Sequence, residues 1–167
     1  MSNFQERQTI RDLWASEAVS VPQTKVIFLL GTMENLSNDV QSNVTCESGT
    51  HDDILQEDFI DSYANLTVKS LMLLKWFNKS CKNVSYVLKT DDDAYIILKN
   101  LHNLVTKNNK TDLLMGTLIC GNTPISDPYN KHFSPKYMYG KTRYPNYLLG
   151  TAYLMSRSIT SKLYEAA

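Results

Sequence analysis

Apolar positions along this chain fall into two kinds of run. Residues 25–30 (KVIFLL), 86–88 (YVL), 113–120 (LLMGTLIC) and 148–155 (LLGTAYLM) are short and nearly continuous. Strands covered on both faces are continuously apolar rather than alternating, so 25–30 and 86–88 predict buried strands, the latter of the parallel-sheet kind, while 113–120 reads as a strand and 148–155 as a small apolar strand or a turn around Gly150. Gly31-Thr32 reads as the turn that closes the first of them. Elsewhere the spacing is helical. Over residues 4–18, Ile10, Leu13 and Trp14 share one face while Arg7 and Arg11 lie one turn apart on another, and Val21-Pro22 ends the helix. Over residues 61–77, Tyr63, Leu66, Leu71, Leu74 and Phe77 fall close to helical spacing, with Leu73 and Trp76 widening a core stripe. Shorter helices are predicted at 96–105 and from 158 onward.

Two stretches show neither pattern. Residues 33–50 are polar without a sustained period and read as an exposed loop. The acids of His51-Asp52-Asp53 read as caps of a helical stretch that follows. Residues 121–147 are rich in Pro, Tyr and Lys and read as an irregular loop over a binding cleft; its tyrosines suit stacking on a sugar ring or an ordinary surface role equally well.

The run at 86–88 leads without a break into Asp91, Asp92 and Asp93. In open α/β sheets the carboxyl ends of strands are where ligands bind. Continued strand geometry would send Asp91 and Asp93 to one side and Asp92 to the other. That pair suits a hard divalent cation, Mg²⁺ or Mn²⁺, gripping substrate phosphates. The competing expectation is that the acids cap the helix that begins soon after Asp93. Arg7 and Arg11 carry a similar ambiguity: they can clamp an anion bidentately or form a solvated basic face paired with Glu6 or Asp12. None of His51, His102 and His132 sits in a pattern that makes it a metal ligand.

Length and charge narrow the class. A chain of 167 residues suits one core and is short for two domains. Lys plus Arg and Asp plus Glu are 17 each, so no global field recruits nucleic acid or an anionic membrane. No apolar run approaches a membrane span, and no cleavable signal opens the sequence. Six Asn-x-Ser/Thr sequons, at Asn35, Asn43, Asn65, Asn78, Asn83 and Asn109, point to the secretory pathway. Cys46, Cys81 and Cys120 permit one disulfide and leave an odd thiol.

In order, RQTIRDLW, VIFLLGT, HDDILQEDFIDSYANLTVKS, LKTDDDAY and YPNYLLGTAYLMS resemble the successive motifs of the β-1,3-glycosyltransferase family, which includes β-1,3-galactosyltransferases and β-1,3-N-acetylglucosaminyltransferases. The resemblance runs almost end to end. It implies a GT-A fold, a Rossmann-like nucleotide-binding α/β sandwich, here incomplete at the C-terminus. It implies Mn²⁺ (or Mg²⁺) held by Asp93 with Asp91, and a UDP-sugar donor lined by Arg7, Arg11, Lys69, Asp91 and Asp92. Tyr144, Tyr147 and Gly150 match the box bordering donor sugar and acceptor.

The implied reaction is inverting transfer of galactose or N-acetylglucosamine from UDP to a hydroxyl of an acceptor glycan on protein or lipid, forming a β-1,3 linkage. The implied location is the Golgi lumen, with a type II membrane anchor in the complete protein. The family's catalytic acid lies in a later Glu-Asp-Val box and a further metal-binding histidine follows it. Neither is expected within residues 1–167, and Asp112, Asp127 and Glu165 are not matched to the role. A donor-binding fragment of an enzyme is therefore the first expectation. A nucleotide-sugar or glycan-binding module without turnover is the second, and an unrelated Mg²⁺-dependent phosphohydrolase the third.

Overall fold

The computed structural model describes residues 3–34, 37–108 and 110–167. Its first half is a β-α-β unit. Strand β1 (Phe28–Thr32) pairs in parallel with β2 (Ile54–Ile60), with Phe28 opposite Ile54, and helix α2 (Asn38–His51) makes the crossover between them. A parallel pair needs such a crossover, because no tight turn can return the chain to the starting edge. Ahead of β1 run helix α1 (Phe4–Asp12) and a short 3₁₀ segment, Trp14–Val19.

Helix α2 replaces the exposed polar loop expected over 33–50. Ser37 caps its start, its hydroxyl oxygen accepting from the Val40 amide at 3.3 Å, and Asp52 ends it in the left-handed region at φ 49°. Only Val44 is buried along its length, so it has almost no apolar stripe for the periodicity to register. His51-Asp52-Asp53 therefore closes a preceding helix rather than opening a following one, and the next element is a strand. Gly31-Thr32 is likewise not a turn but the end of β1, at a register shift. A Cβ on Gly31 would stand 2.4 Å from the Phe59 carbonyl oxygen, so this close approach of the two strands requires glycine.

The second half is antiparallel. Strand β5 (Tyr147–Ser156) lies between β3 (Tyr86–Thr90) and β4 (Leu114–Ile119), with Leu88 opposite Leu154 and Met115 opposite the same residue on the other side. The parallel pairing expected for β3 is thus not found. Its run of apolar residues reflects partial burial on both faces, with Val87 packing against the core, and not the direction of its neighbour. Helices α3 (Leu66–Ser80), α4 (Leu98–Asn108) and α5 (Arg157–Ala166) complete the chain. Residues 121–146 form no helix or strand, only turns and an isolated bridge between Ile125 and Phe133.

Two apolar clusters hold these parts. Ile10, Trp14, Val21 and Leu98 join α1 to α4, and Leu73, Leu74 and Met155 join α3 to β5, with Leu29 of β1 and Val87 of β3 packed beside them. The α3 stripe bridges the parallel pair and the antiparallel sheet. Asn78, on α3, donates to the carbonyls of Leu74 at 2.8 Å and Thr160 at 3.3 Å, and its Oδ1 accepts from the Ser161 hydroxyl at 2.6 Å. It fastens α5 to α3. Among the described residues no helix is long and apolar enough to cross a membrane.

Candidate functional site

The aspartates follow the last hydrogen-bonded pair of the antiparallel sheet. The Asp91 amide donates to the Thr151 carbonyl at 2.9 Å, after which the chain turns at Asp92 and Asp93. The alternation of sides expected for the three stops with the strand. Helix α4 begins only at Leu98, so none of the three caps it.

Each acid has a different environment. Asp91 pairs with the Lys89 ammonium, which also donates to the Gly150 carbonyl at 2.8 Å. Asp92 is exposed and accepts from Asn3 Nδ2 at 3.3 Å, one residue ahead of α1. Asp93 is exposed and makes no hydrogen bond or ion pair among the described residues. Three acids and one ammonium leave an excess of negative charge in an accessible turn. The donor set is hard carboxylate oxygen, and Mg²⁺ and Mn²⁺ are commonly bound through one or two such groups together with substrate phosphates. These residues fit such an ion. No three His, Cys, Asp or Glu side chains cluster as a self-contained metal cage among the described residues.

Gly150 reaches this turn through β5, which begins at Tyr147 opposite Ile119 of β4. A Cβ on Gly150 would meet nothing within 4 Å, so the space beside the Lys89 contact is open. Tyr147 accepts from Asn122 Nδ2 at 2.9 Å, and the Asn122 carbonyl accepts the Tyr144 amide at 2.9 Å. The rings of Tyr139 and Tyr144 stack with centroids 4.7 Å apart, and Tyr144 meets Tyr147 edge-on at 6.2 Å. The two motif tyrosines are thus held by one asparagine and a third ring.

Arg7 and Arg11 face protein carboxylates. Arg7, only 3% exposed, grips Glu47 at 2.8 and 2.5 Å through Nε and Nη2. Arg11 reaches Glu47 at 2.8 Å and holds Asp53 through two bonds of 2.7 and 2.9 Å. Phe4 and Phe28 lie under the two guanidinium groups at 4.8 and 4.9 Å. Burial works to raise the Glu47 carboxyl, but the hydrogen bonds from Arg7 and Arg11 outweigh it and hold the group below its ordinary value. The Asp53 hydrogen bond leads in raising Arg11 further, against its own desolvation. Neither Glu6 nor Asp12 is the partner. Lys69 is paired too, with Asp61 at 2.6 Å, and Asp61 in turn accepts from the Gly31 amide at 3.2 Å at the carboxyl end of β1.

The structure therefore joins Asp91 to Gly150 and Asp92 to the start of α1, and it turns the guanidinium groups of Arg7 and Arg11 toward α2 and the start of β2. Lys89, Glu47, Asn122 and Tyr139 are absent from the sequence reasoning. Lys89 alone had a usable signal, since residues two apart on a strand share a face.

The sequons are placed unequally. Asn83 is exposed in the turn before β3, and Asn43 is exposed on α2. Asn65 donates to the Ile60 carbonyl at 2.8 Å, and Asn78 is committed to α5. Asn35 and Asn109 lie outside the described residues. Cys46, Cys81 and Cys120 are all unbridged, and desolvation raises the Cys81 thiol despite nearby Arg157.

Comparison with known proteins places this arrangement. The chain is 37% identical over 164 residues to "Beta-1,3-galactosyltransferase 5" of Homo sapiens, covering 97% of this chain and 52% of that protein. It is 37% identical over 164 residues to the Pan paniscus protein of the same name, at 97% and 54% coverage. Against the Mus musculus "Lactosylceramide 1,3-N-acetyl-beta-D-glucosaminyltransferase" it is 34% identical over 173 residues, covering 99% of the chain and 46% of the relative. The chain thus spans about half the length of the curated relatives it matches. The Galactosyltransferase family model matches residues 5–167, and with the aspartate turn, the tyrosine box and the β-α-β unit inside that match, the chain belongs to the galactosyltransferase family.

Proposed function

We propose that this chain carries the donor-binding part of a UDP-sugar-dependent β-1,3-glycosyltransferase, which moves galactose or N-acetylglucosamine to a hydroxyl of an acceptor glycan on protein or lipid with inversion at the anomeric carbon. The observation that carries the proposal is the junction of the aspartate turn with Gly150 through Lys89. It brings two motifs, far apart in sequence, together where the β3–β5 pairing ends. Asp93, which has no partner among the described residues, is the first candidate to hold Mn²⁺ or Mg²⁺, with Asp92 and Asp91 adjacent. A divalent cation bound there supplies charge neutralisation for the diphosphate that departs.

The chain's own residues do the rest of the positioning. Asn3 ties α1 to Asp92, and Lys89 restrains Asp91. Asn122 and Tyr139 hold Tyr144 and Tyr147, whose rings border the sugar. Arg7 and Arg11 serve this site by seating α1, since Glu47 and Asp53 already occupy their guanidinium groups. Lys69 belongs to the same proposal as a cation at the carboxyl end of β1, where a nucleotide would lie. The sequons, together with relatives named as glycosyltransferases, support action in the Golgi lumen.

A thermal-shift titration with UDP, UDP-galactose and UDP-N-acetylglucosamine, with and without Mn²⁺, tests the proposal. A ligand that binds only the native state stabilises it by about 2.7 kcal/mol at a hundred times its Kd. The expected result is a rise in Tm that requires both nucleotide and cation. A cooperative melt that neither moves overturns the assignment of the aspartate turn to a donor.

A further inference from the structure

Lys89 precedes the aspartates by one turn of the strand's two-residue repeat and sits on the face of β3 that Asp91 would continue. Its side chain is 19% exposed, low for an ammonium, which is strongly hydrated when free. Three contacts hold it there: the Asp91 carboxylate, the Gly150 carbonyl at 2.8 Å, and the face of Tyr153 with the ring centroid 5.9 Å away. Gly150 and Thr151 are consecutive on β5, and the Thr151 carbonyl accepts the Asp91 amide at 2.9 Å. Asp91 is thus fixed to β5 twice, by its backbone and, through Lys89, by its carboxylate.

That double attachment has an electrostatic consequence. An ammonium paired with one carboxylate repels a divalent cation from that oxygen, and it lowers the mutual repulsion of the three acids. Resting on the proposed function, we infer that Lys89 is a positioning residue for the transfer: it locks Asp91 against the Gly150 backbone, so that the aspartate turn and the tyrosine box keep one fixed spacing. Its contact is with the residue that orders the site, not with the reacting atoms.

A double-mutant cycle tests this, with Lys89→Met, Asp91→Asn and the pair combined, read by calorimetric Kd for UDP in the presence of Mn²⁺. Residues acting through one another give non-additive losses. Each single variant is expected to weaken binding about tenfold, the size of a lost charged hydrogen bond, and the double variant to be no more than about threefold worse than Asp91→Asn alone. Lys89→Arg, which keeps the charge, is expected to recover most of the loss. Unchanged affinity in Lys89→Met, or fully additive losses, overturns the inference.

Amide hydrogen exchange in the ligand-free chain provides a readout independent of the donor. The amide of residue 91 is expected to exchange about tenfold faster in Lys89→Met while Tm stays within a few degrees. Should the wild-type chain bind no UDP with Mn²⁺, the proposed function fails, yet the exchange rate still decides whether Lys89 fixes Asp91. Should Lys89→Met lose its cooperative melt, Asp91→Asn breaks the same contact from a more exposed side chain, and an unchanged exchange rate there overturns the inference.

Discussion

Helix α1 touches two collections of charge built on opposite principles. On its flank, Arg7 and Arg11 meet Glu47 and Asp53, two cations against two anions, all largely withdrawn from water. Ahead of its first turn, Asn3 meets an aspartate turn in which three acids share one ammonium and two of the acids are exposed. The first set is closed. Its hydrogen bonds are shared among its members, and a buried pair that loses one partner leaves an uncompensated charge. The second set is open and unbalanced, and its hard carboxylate oxygens suit the divalent cation proposed for it. The arginines that resemble an anion clamp in sequence already hold protein carboxylates, whereas two of the three acids that resemble helix caps stand exposed.

The largest effect separating the two sets is expected at Asp93. Asp93→Ala should abolish the Mn²⁺-dependent stabilisation by UDP and leave the ligand-free Tm nearly unchanged, because the exposed side chain has no partner among the described residues. Persistence of the Mn²⁺ dependence in a thermal-shift series would move the cation elsewhere. Glu47→Gln should do the reverse, costing about 3 kcal/mol in urea unfolding by stranding two guanidinium groups. The pH dependence has a definite sign. Glu47 is held below its ordinary value of 4.5, so its contribution is present above that value and is lost as pH falls toward its folded value. The wild type and Glu47→Gln should therefore converge in stability only as pH falls below the folded value of Glu47.

Arg11→Ala should follow at about 2–3 kcal/mol of stability, with UDP affinity of the folded chain nearly intact. If calorimetry instead finds the affinity lost and the fold retained, the guanidinium reaches the donor and the contrast between the sets collapses. Smaller again is Gly150→Ala. Its added methyl meets nothing within 4 Å, so Tm should hold while binding of UDP-galactose or UDP-N-acetylglucosamine weakens if the sugar occupies that space. The smallest is Asp112→Asn. Ser158 and Lys162 hold the Asp112 carboxyl below its usual range, but the group is fully exposed, and Tm should not move measurably.

What the sequence made legible was whatever had an apolar signature. The inner part of the α3 stripe, the strands around 28–32 and 86–90 and the apolar end of β5 follow from burial, whereas Leu114 and Leu118 of β4 and the expected stripe residues Tyr63 and Leu66 are exposed. Helix α2 was hidden because its only buried residue is Val44, and β2 because ILQEDFI alternates weakly and carries two acids, so its pairing with β1 decided its state. The positions of the aspartates and the tyrosine box were readable as motifs. Their partners were less so: Lys89 shares a strand face with Asp91, a signal two residues long, but Glu47 meets Arg7 across 40 positions of chain. Long-range ion pairs leave no local trace.

The bonds of Asn78 set folding and modification in competition for one nitrogen. Its Nδ2 is the atom a sequon offers to a glycan, and in the folded chain that same atom donates to Leu74 and Thr160 while Oδ1 receives Ser161. Thr160 and Ser161 lie more than eighty residues downstream, so during synthesis Asn78 emerges long before its lock. A sugar added in that interval would bar α5 from its seat on α3; a chain that closes first hides the acceptor for good. Were this sequon glycosylated, the order of those two events would decide whether a molecule reaches its native packing.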